Sequence, residues 1–431
     1  MRSIGSSTVL VFLLLATSAA ADETDIASLR ERVAALEAQN RAMHAELDAL
    51  KARLQPQPAP AATTPSLPPS QPRAGDSSVA FYGFARMDAI YDDSRPNAFQ
   101  SPLFVLSEDP RTGLHDDENL TMHPRLTRFG MNFSGPRLSR VGDAELFAKI
   151  EIDFQNGGRE SRAISRFRHA YLQTSWEHSS LLLGQTSDVI SPLFPNANAD
   201  TVMWNAGNLG DRRPQLRYRY TSGGATVEAA AGLTGAVDDL DLDADGVRDG
   251  EASARPNLQA RISFDSSAKN RWSFGLWGLR GWQQTSKMIG GRRRFGTSAL
   301  GADGKLALGG RARVQGEAWT GQALADFRGG IAQSVNTATG GTIASHGGWL
   351  ELGADPTSWS SLYLGYTVDD PDDGDLPVNA RSRNSAWYLT NRLRFGTPFQ
   401  IGIEYLRWTT RYLGLVRGLD NRFDLYAIYN F

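Results

Sequence analysis

The chain has 431 residues, and its 45 Lys+Arg against 47 Asp+Glu give a formal net charge of -2, which argues against a general nucleic-acid binder. With no cysteine, disulfides, iron–sulfur clusters and zinc ribbons are excluded. A mean hydropathy of -0.36 is too polar for a bundle of transmembrane helices, but not for a transmembrane barrel, whose strands turn polar residues inward.

Residues 1–21 read as a secretory signal: Arg2 supplies the positive start, Val9 to Ala16 is a short apolar run, and Ser18-Ala19-Ala20-Ala21 offers a small-residue cleavage site. The apolar run falls short of the roughly 20 residues that a spanning helix needs. In residues 22–54 a heptad follows, with Ile26, Val33, Asn40, Leu47 and Leu54 at a positions and Leu29, Leu36, Met43 and Leu50 at d positions. A lone helix of this length is marginal in water, so the pattern predicts a self-associating coiled coil whose Asn40 fixes register. A helix folded back on the rest of the chain would suit the same pattern. Residues 55–78 form a linker whose first part, Gln55 to Pro72, carries no charge and is rich in Pro, Ala, Ser and Thr, as stiff extended linkers are.

Residues 79–431 change to short alternating segments separated by Gly, Asp, Asn and Pro. Ala144, Leu146, Ala148, Ile150, Ile152 and Phe154 alternate with Glu145, Lys149, Glu151 and Asp153. Leu216, Tyr218 and Tyr220 alternate with Arg213, Gln215, Arg217 and Arg219, and the same dyad recurs in Asn257–Phe264, Arg311–Ala318 and Arg422–Phe431. A period of two sustained over the whole region predicts an all-β transmembrane barrel of about 16 antiparallel strands, at roughly ten residues each. Tyr82, Tyr91, Tyr220, Trp272, Trp387 and Tyr429 have the character of interfacial girdles. A tandem of soluble β-sandwiches would use the same alternation. The signal, the lack of cysteine and the terminal Phe431, which resembles the end that outer-membrane barrels present to their assembly machinery, favour the outer membrane.

Several stretches then resemble one family: Phe81-Tyr82-Gly83-Phe84-Ala85-Arg86-Met87-Asp88, Thr127-Arg128-Phe129-Gly130, Lys149-Ile150-Glu151-Ile152-Asp153-Phe154, Arg166-Phe167-Arg168-His169-Ala170-Tyr171-Leu172, Leu183-Gly184-Gln185-Thr186 and Arg212-Arg213-Pro214-Gln215-Leu216-Arg217-Tyr218. In order and spacing they are similar to the DcaP-like trimeric porins of Gram-negative outer membranes. The coiled coil and its proline linker fit as well. The resemblance is strong from Phe81 to about Tyr220, weaker afterwards, and resumes in the last strands. It implies a 16-stranded homotrimer with a periplasmic N-terminal coiled coil, a loop folded into each pore, and an arginine-lined constriction passing small anions. Ser187–Arg212, long, rich in Pro and Asn and without alternation, would be that loop; an ordinary extracellular loop is the alternative.

Taken from the polar face of each segment, the candidate pore-lining residues are Arg86, Arg128, Arg166, Arg168, Arg213, Arg217, Arg219, Arg261, Arg311, Arg313, Arg392, Arg394 and Arg422. A guanidinium stays charged and grips carboxylate or phosphate through a planar fork, and a ladder of forks lets an anion shed water stepwise. Glu145, Glu151, Asp153, Glu317 and Glu404 are expected to oppose them and set a transverse field. The same arginines would also serve simply to pair with those carboxylates and fill the interior. Either Arg168 or His169 points inward; the pattern leaves both open. Asp241-x-Asp243-x-Asp245-Gly246 with Asp249 resembles the start of a calcium loop, although the Glu expected at its twelfth position is Ala252. A plainly solvated acidic loop is the alternative.

No nucleophile elbow, HExxH, P-loop or GxGxxG occurs, which argues against an enzyme. The expected protein is an anion-favouring diffusion porin for small hydrophilic solutes, with outer-membrane lipid and lipopolysaccharide as its surroundings. A structural or adhesive barrel with a plugged lumen remains the other reading.

Overall fold

The computed structural model describes residues 77–98, 101–113, 117–155, 164–197, 200–235, 241–266 and 271–431. The expected signal, coiled coil and most of the linker lie outside the described residues.

The strands are β1 (Ser78–Asp92), β2 (Asn119–His123), β3 (Arg128–Leu138), β4 (Ala144–Asp153), β5 (Arg166–Ser175), β6 (Ser179–Ser187), β7 (Arg212–Ser222), β8 (Ala225–Gly232) and β9 (Asn257–Asp265). They continue as β10 (Trp272–Ile289), β11 (Arg292–Leu308), β12 (Ala312–Gln322), a two-residue pair β13 (Val335–Asn336) and β14 (Gly341–Thr342), then β15 (Ala344–Ala354), β16 (Ser360–Pro371), β17 (Arg381–Arg394), β18 (Phe399–Tyr412) and β19 (Leu415–Asn430). Except for the β13–β14 pair, each is antiparallel to its neighbours in one sheet, and β1 closes on β19 from Phe84↔Asn430 to Asp92↔Arg422. Both β2 and β3 pair with β1, on its second and first halves, so they form one interrupted stave and the barrel has 16 staves. Phe431 extends the seam through reciprocal backbone bonds with Gly83, each 3.1 Å.

One rim, the turn rim, carries short connections, and the other, the loop rim, carries the long loops together with the two-residue turns Gly290-Gly291 and Leu413-Gly414. At the turn rim Gly223-Gly224, with φ of 58° and 86°, joins β7 to β8; positive φ at both central positions matches the right-handed twist of the strands, which is why a glycine pair stands there. The alternation read from the sequence gives the faces directly. Phe81, Leu300 and Leu183 are 75%, 69% and 63% exposed on the outer wall, so the barrel turns an apolar surface outward, as a membrane barrel must. Of the six expected girdle aromatics, Tyr82 is the exception: its phase is inward and its hydroxyl donates to Glu151 at 2.8 Å.

The interior is not uniformly polar. Trp277 and Leu279 of β10, Ala299 of β11 and Trp319 of β12 point inward and are covered by Ile190, Leu209, Leu324 and Phe327. Tyr363, Ala386, Tyr388, Leu406 and Trp408 of β16 to β18 are covered in turn by Val105, Ala197, Met203 and Ala206. Among the described residues, three connections, those after β1, β6 and β12, therefore fold into the lumen and build two apolar cores against the wall.

Candidate functional site

The segment 188–211 between β6 and β7 is the in-folded piece that the sequence marks as Ser187–Arg212. Its backbone is fastened by wall carboxylates and amides. Gln259 accepts from the Val189 N–H at 2.8 Å, Glu317 from the Leu193 N–H at 2.8 Å, and Glu351 from the Asn196 N–H at 2.6 Å. Glu317 also takes the Ser191 hydroxyl, and Asp200 pairs with Arg422 at 2.9 Å. Gly207 lies so close to β15 and β16 that a Cβ would collide with the Gly348 carbonyl and the Val368 amide; its own carbonyl accepts from the Trp319 indole at 2.7 Å.

A second in-folded piece, 323–343, shares this anchoring. Gly210 N–H donates to the Phe327 carbonyl at 2.8 Å and Asn205 N–H to the Arg328 carbonyl at 2.7 Å. Arg213 rivets the two together: its guanidinium binds Asp188 at 2.7 Å and Asp326 at 2.8 Å and lies 4.0 Å from the centre of the Phe327 ring. Nothing in the period-two pattern marks 323–343. Its available signal is the run Leu324, Phe327 and Ile331 inside a Gly-rich connection, apolar residues that an ordinary solvated loop would not need.

Opposite the apolar cores the lumen keeps a charged recess of about 260 Å³, lined by Arg128, Arg166, Arg168, His169 and Arg212 on one side and Phe194, Asp200, Val202 and Trp204 of the in-folded segment on the other. Arg166 binds Asp153 at 2.6 Å, and Arg168 binds Glu151 at 2.7 Å and Asp153 at 2.8 Å. Arg128 is 3.5 Å from Glu151 through an Nε that makes no hydrogen bond. Arg212 reaches Asp211 at 3.4 Å and lies 5.6 Å from the centre of the Trp204 ring. The open question at Arg168 and His169 is resolved by a bulge. Glu151 pairs with His169 and Ile152 with Phe167, so Arg168 is the extra residue and both side chains turn inward. The His169 Nδ1 is 3.0 Å from the Thr186 hydroxyl. Arg212 was not among the sequence candidates because it sits where strand alternation gives way to loop.

The other candidates separate by depth. Arg217, Arg261, Arg313 and Arg392 face the lumen on the remaining staves: Arg261 binds Asp303 at 2.7 Å, Arg217 is 3.9 Å from Glu228, Arg313 binds Asp355 at 2.9 Å, and Arg392 donates to the Asn196 amide at 2.6 Å. Arg86 is inward but held by Asp88 over the Tyr426 ring, 3.9 Å from its centre. Arg213, expected to line the passage, is 0% exposed beneath the two in-folded pieces and does not border open lumen. Arg422 is likewise sealed, between Asp92 and Asp200. Arg219 and Arg394 lie exposed near the turn rim, and Arg311, expected within a strand, falls in the turn before β12 and bonds the Pro356 carbonyl at 3.3 Å.

The carboxylates depart from the expected opposing face. Glu151 and Asp153 belong to β4, the immediate partner of β5, so they sit among the arginines and not across from them. Glu317 is buried against the in-folded segment, Glu404 is buried with the Thr390 hydroxyl at 2.8 Å, and Glu145 is exposed at the turn rim with Arg137 at 2.5 Å. Asp188, Asp303, Asp326 and Glu351 are partners that the sequence reasoning did not single out.

On the loop rim, Asp241, Asp243 and Asp249 each bring a carboxylate oxygen within 4.8 Å of the other two. Asp249 opens a single helical turn, α1 (Asp249–Ala252). Burial, with the Asp243, Asp241 and Asp245 charges beside it, pushes its carboxyl up to about 6. Asp245 is outside the group; it is exposed and accepts from the Val247 N–H at 2.8 Å.

A closed barrel of 16 antiparallel staves, apolar outside and narrowed by in-folded loops, has the architecture of outer-membrane porins. Comparison with solved structures bears this out at the level of fold. The chain is similar to the outer membrane channel DcaP of Acinetobacter baumannii, with a TM-score of 0.68 and 20% identity over 83% of this chain and 98% of that one. It is also similar to the anion-selective porin from Comamonas acidovorans (TM-score 0.54, 13% identity, 83% and 100% covered) and to the trimer form of OmpT, an outer membrane protein of Vibrio cholerae (0.54, 13%, 83% and 100%). No protein-family model and no curated protein matches the chain.

Proposed function

We propose that this chain is an outer-membrane porin, assembled as a homotrimer, whose lumen is a passive, anion-favouring diffusion path for small hydrophilic solutes of dicarboxylate or phosphate type. The observation that carries the reading is the convergence of Arg128, Arg166, Arg168 and Arg212 on one recess facing Trp204 and Phe194. Among the described residues, Arg128, Lys149, Arg166 and Arg168 share two carboxylates, Glu151 and Asp153, so the wall retains positive charge after pairing. In a narrow passage, a charge about 5 Å from a solute is worth about 3 kcal/mol at an effective dielectric near 20, enough to concentrate anions there. An anion meets guanidinium forks already occupied in part by carboxylates, which keeps its own binding weak enough for release. Similarity in fold to the DcaP outer membrane channel, the anion-selective Comamonas porin and the OmpT trimer supports the channel, anion and trimer parts respectively.

The second reading, a structural barrel with a plugged lumen, is favoured by the three in-folded connections and their apolar cores. Single-channel recording of the full-length protein in a planar bilayer separates the two. Discrete steps of stable conductance are expected; a silent bilayer containing correctly folded protein would favour the plug.

A further inference from the structure

The acidic loop at the rim has a feature that solvated loops lack. Asp249 and Asp243 are only 1% and 7% exposed, and the Oδ1 atom of each is buried without a hydrogen-bond partner. A buried carboxylate oxygen with no donor is costly, and here two lie in a group with a third carboxylate. The remaining oxygens are already engaged. Asp243 Oδ2 accepts from the Ser286 hydroxyl at 2.8 Å and the Lys287 N–H at 2.6 Å, and Asp249 Oδ2 accepts from the Leu242 N–H at 3.1 Å. Asp241 takes the N–H groups of Asp245 and Gly246 at 3.1 and 2.8 Å. The neighbouring ammonium of Lys287 is directed to the Asp243 backbone carbonyl at 2.7 Å. What the orphan oxygens lack is a positive partner of their own.

We infer that Asp241, Asp243 and Asp249 hold a divalent calcium ion that pins this loop to the end of β10. Oxygen-only, carboxylate-rich ligands in an irregular loop suit a hard cation with a tolerant coordination shell, and calcium better than magnesium, which demands near-octahedral geometry. Water and loop carbonyls complete the shell. The site is linked to the pore interior: Gly235, packed against Gly250 of α1, donates its N–H to Asp326 at 2.9 Å, and Asp326 is one of the two partners of Arg213. The ion thus braces the loop that abuts the Arg213 rivet.

The test uses full-length protein refolded without lipopolysaccharide, since lipopolysaccharide itself carries calcium, stripped with EDTA and titrated with calcium chloride in a calorimeter. One calcium per chain is expected, with a dissociation constant on the order of 10⁻⁴ to 10⁻³ M, the range of extracellular modules. Asp243→Asn with Asp249→Asn keeps the shape and removes two charges, and should weaken binding at least tenfold; Asp241→Asn alone should also weaken it. Asp372→Asn with Asp373→Asn, in a different exposed acidic loop, should leave it unchanged. Heat-modifiable mobility on a gel confirms that each barrel is folded. No calcium uptake by the folded wild-type protein, or equal uptake by the wild type and all the Asp241, Asp243 and Asp249 variants, would overturn the assignment.

Discussion

The two sides of the lumen are built on opposite chemistry. On the β3 to β7 side the inward residues are arginines and carboxylates that border open space. On the β10 to β18 side, tryptophan, tyrosine and leucine also point inward, among charged residues such as Glu317 and Arg392, and are covered by in-folded backbone. The difference separates two tasks. The apolar side holds the in-folded pieces by burying area, together with the Glu317 and Glu351 carboxylates that accept from the backbone of 188–211. The charged side is left free to present guanidinium forks to whatever passes. A constriction of this kind is a wall-anchored shelf facing a basic wall, and its width is set by packing on the side away from the solute.

That division can be broken from either side. The largest effect is expected from Arg213→Gln, which leaves Asp188 and Asp326 buried without their shared cation. Removing one partner of a buried charge pair costs about 3–5 kcal/mol, and here the loss falls on the junction of the two in-folded pieces. Single-channel current noise and protease cutting within 188–211 or 323–343 should both rise while the barrel stays closed. Trp408→Ala, in the core beneath Met203 and Ala206, should cost about 3–5 kcal/mol by opening a cavity and should widen the passage, read as higher conductance with little change in ion preference.

On the charged side, Arg166→Gln with Arg168→Gln removes two of the four cations, with Arg128 and Lys149, that share Glu151 and Asp153. The anion-to-cation permeability ratio should fall on the order of tenfold while the barrel stays closed, at a cost in thermal stability because the buried Asp153 loses both of its guanidinium partners. The smallest effect belongs to Arg292→Gln with Arg293→Gln, exposed at the loop-rim end of β11, where substitutions usually stay within about 0.5 kcal/mol and selectivity should hold. Equal loss of selectivity from both pairs would mean that the preference is spread over the whole molecule.

Much of this architecture is legible in the sequence, because a barrel stave writes its two faces as a period of two. The alternation in Ala144–Phe154 and Arg422–Phe431 places Glu151, Asp153 and Arg422 inward, where the structure has them. The bounds of the in-folded segment after β6 are legible from its loss of alternation. Depth is not legible. Arg213 and Arg217 carry the same phase on β7, yet one is sealed and the other borders the lumen, because Arg213 is covered by the adjoining 188–211 and by 323–343, more than a hundred residues away. Inward Trp408 and Trp319 read as breaks in a polar face until 188–211 and 323–343 are seen to cover them. The bulge at Arg168 shifts phase by one residue, a change that a fixed period cannot register.

If the arginine wall sets the ion preference, the passage favours anions. The most direct measurement is the reversal potential of the wild-type channel under a steep potassium chloride gradient, taken at low ionic strength, where fixed charges are least screened. A potential of the sign set by chloride is expected, shrinking as the salt on both sides is raised. A potential of the sign set by potassium in an otherwise conducting channel would contradict it.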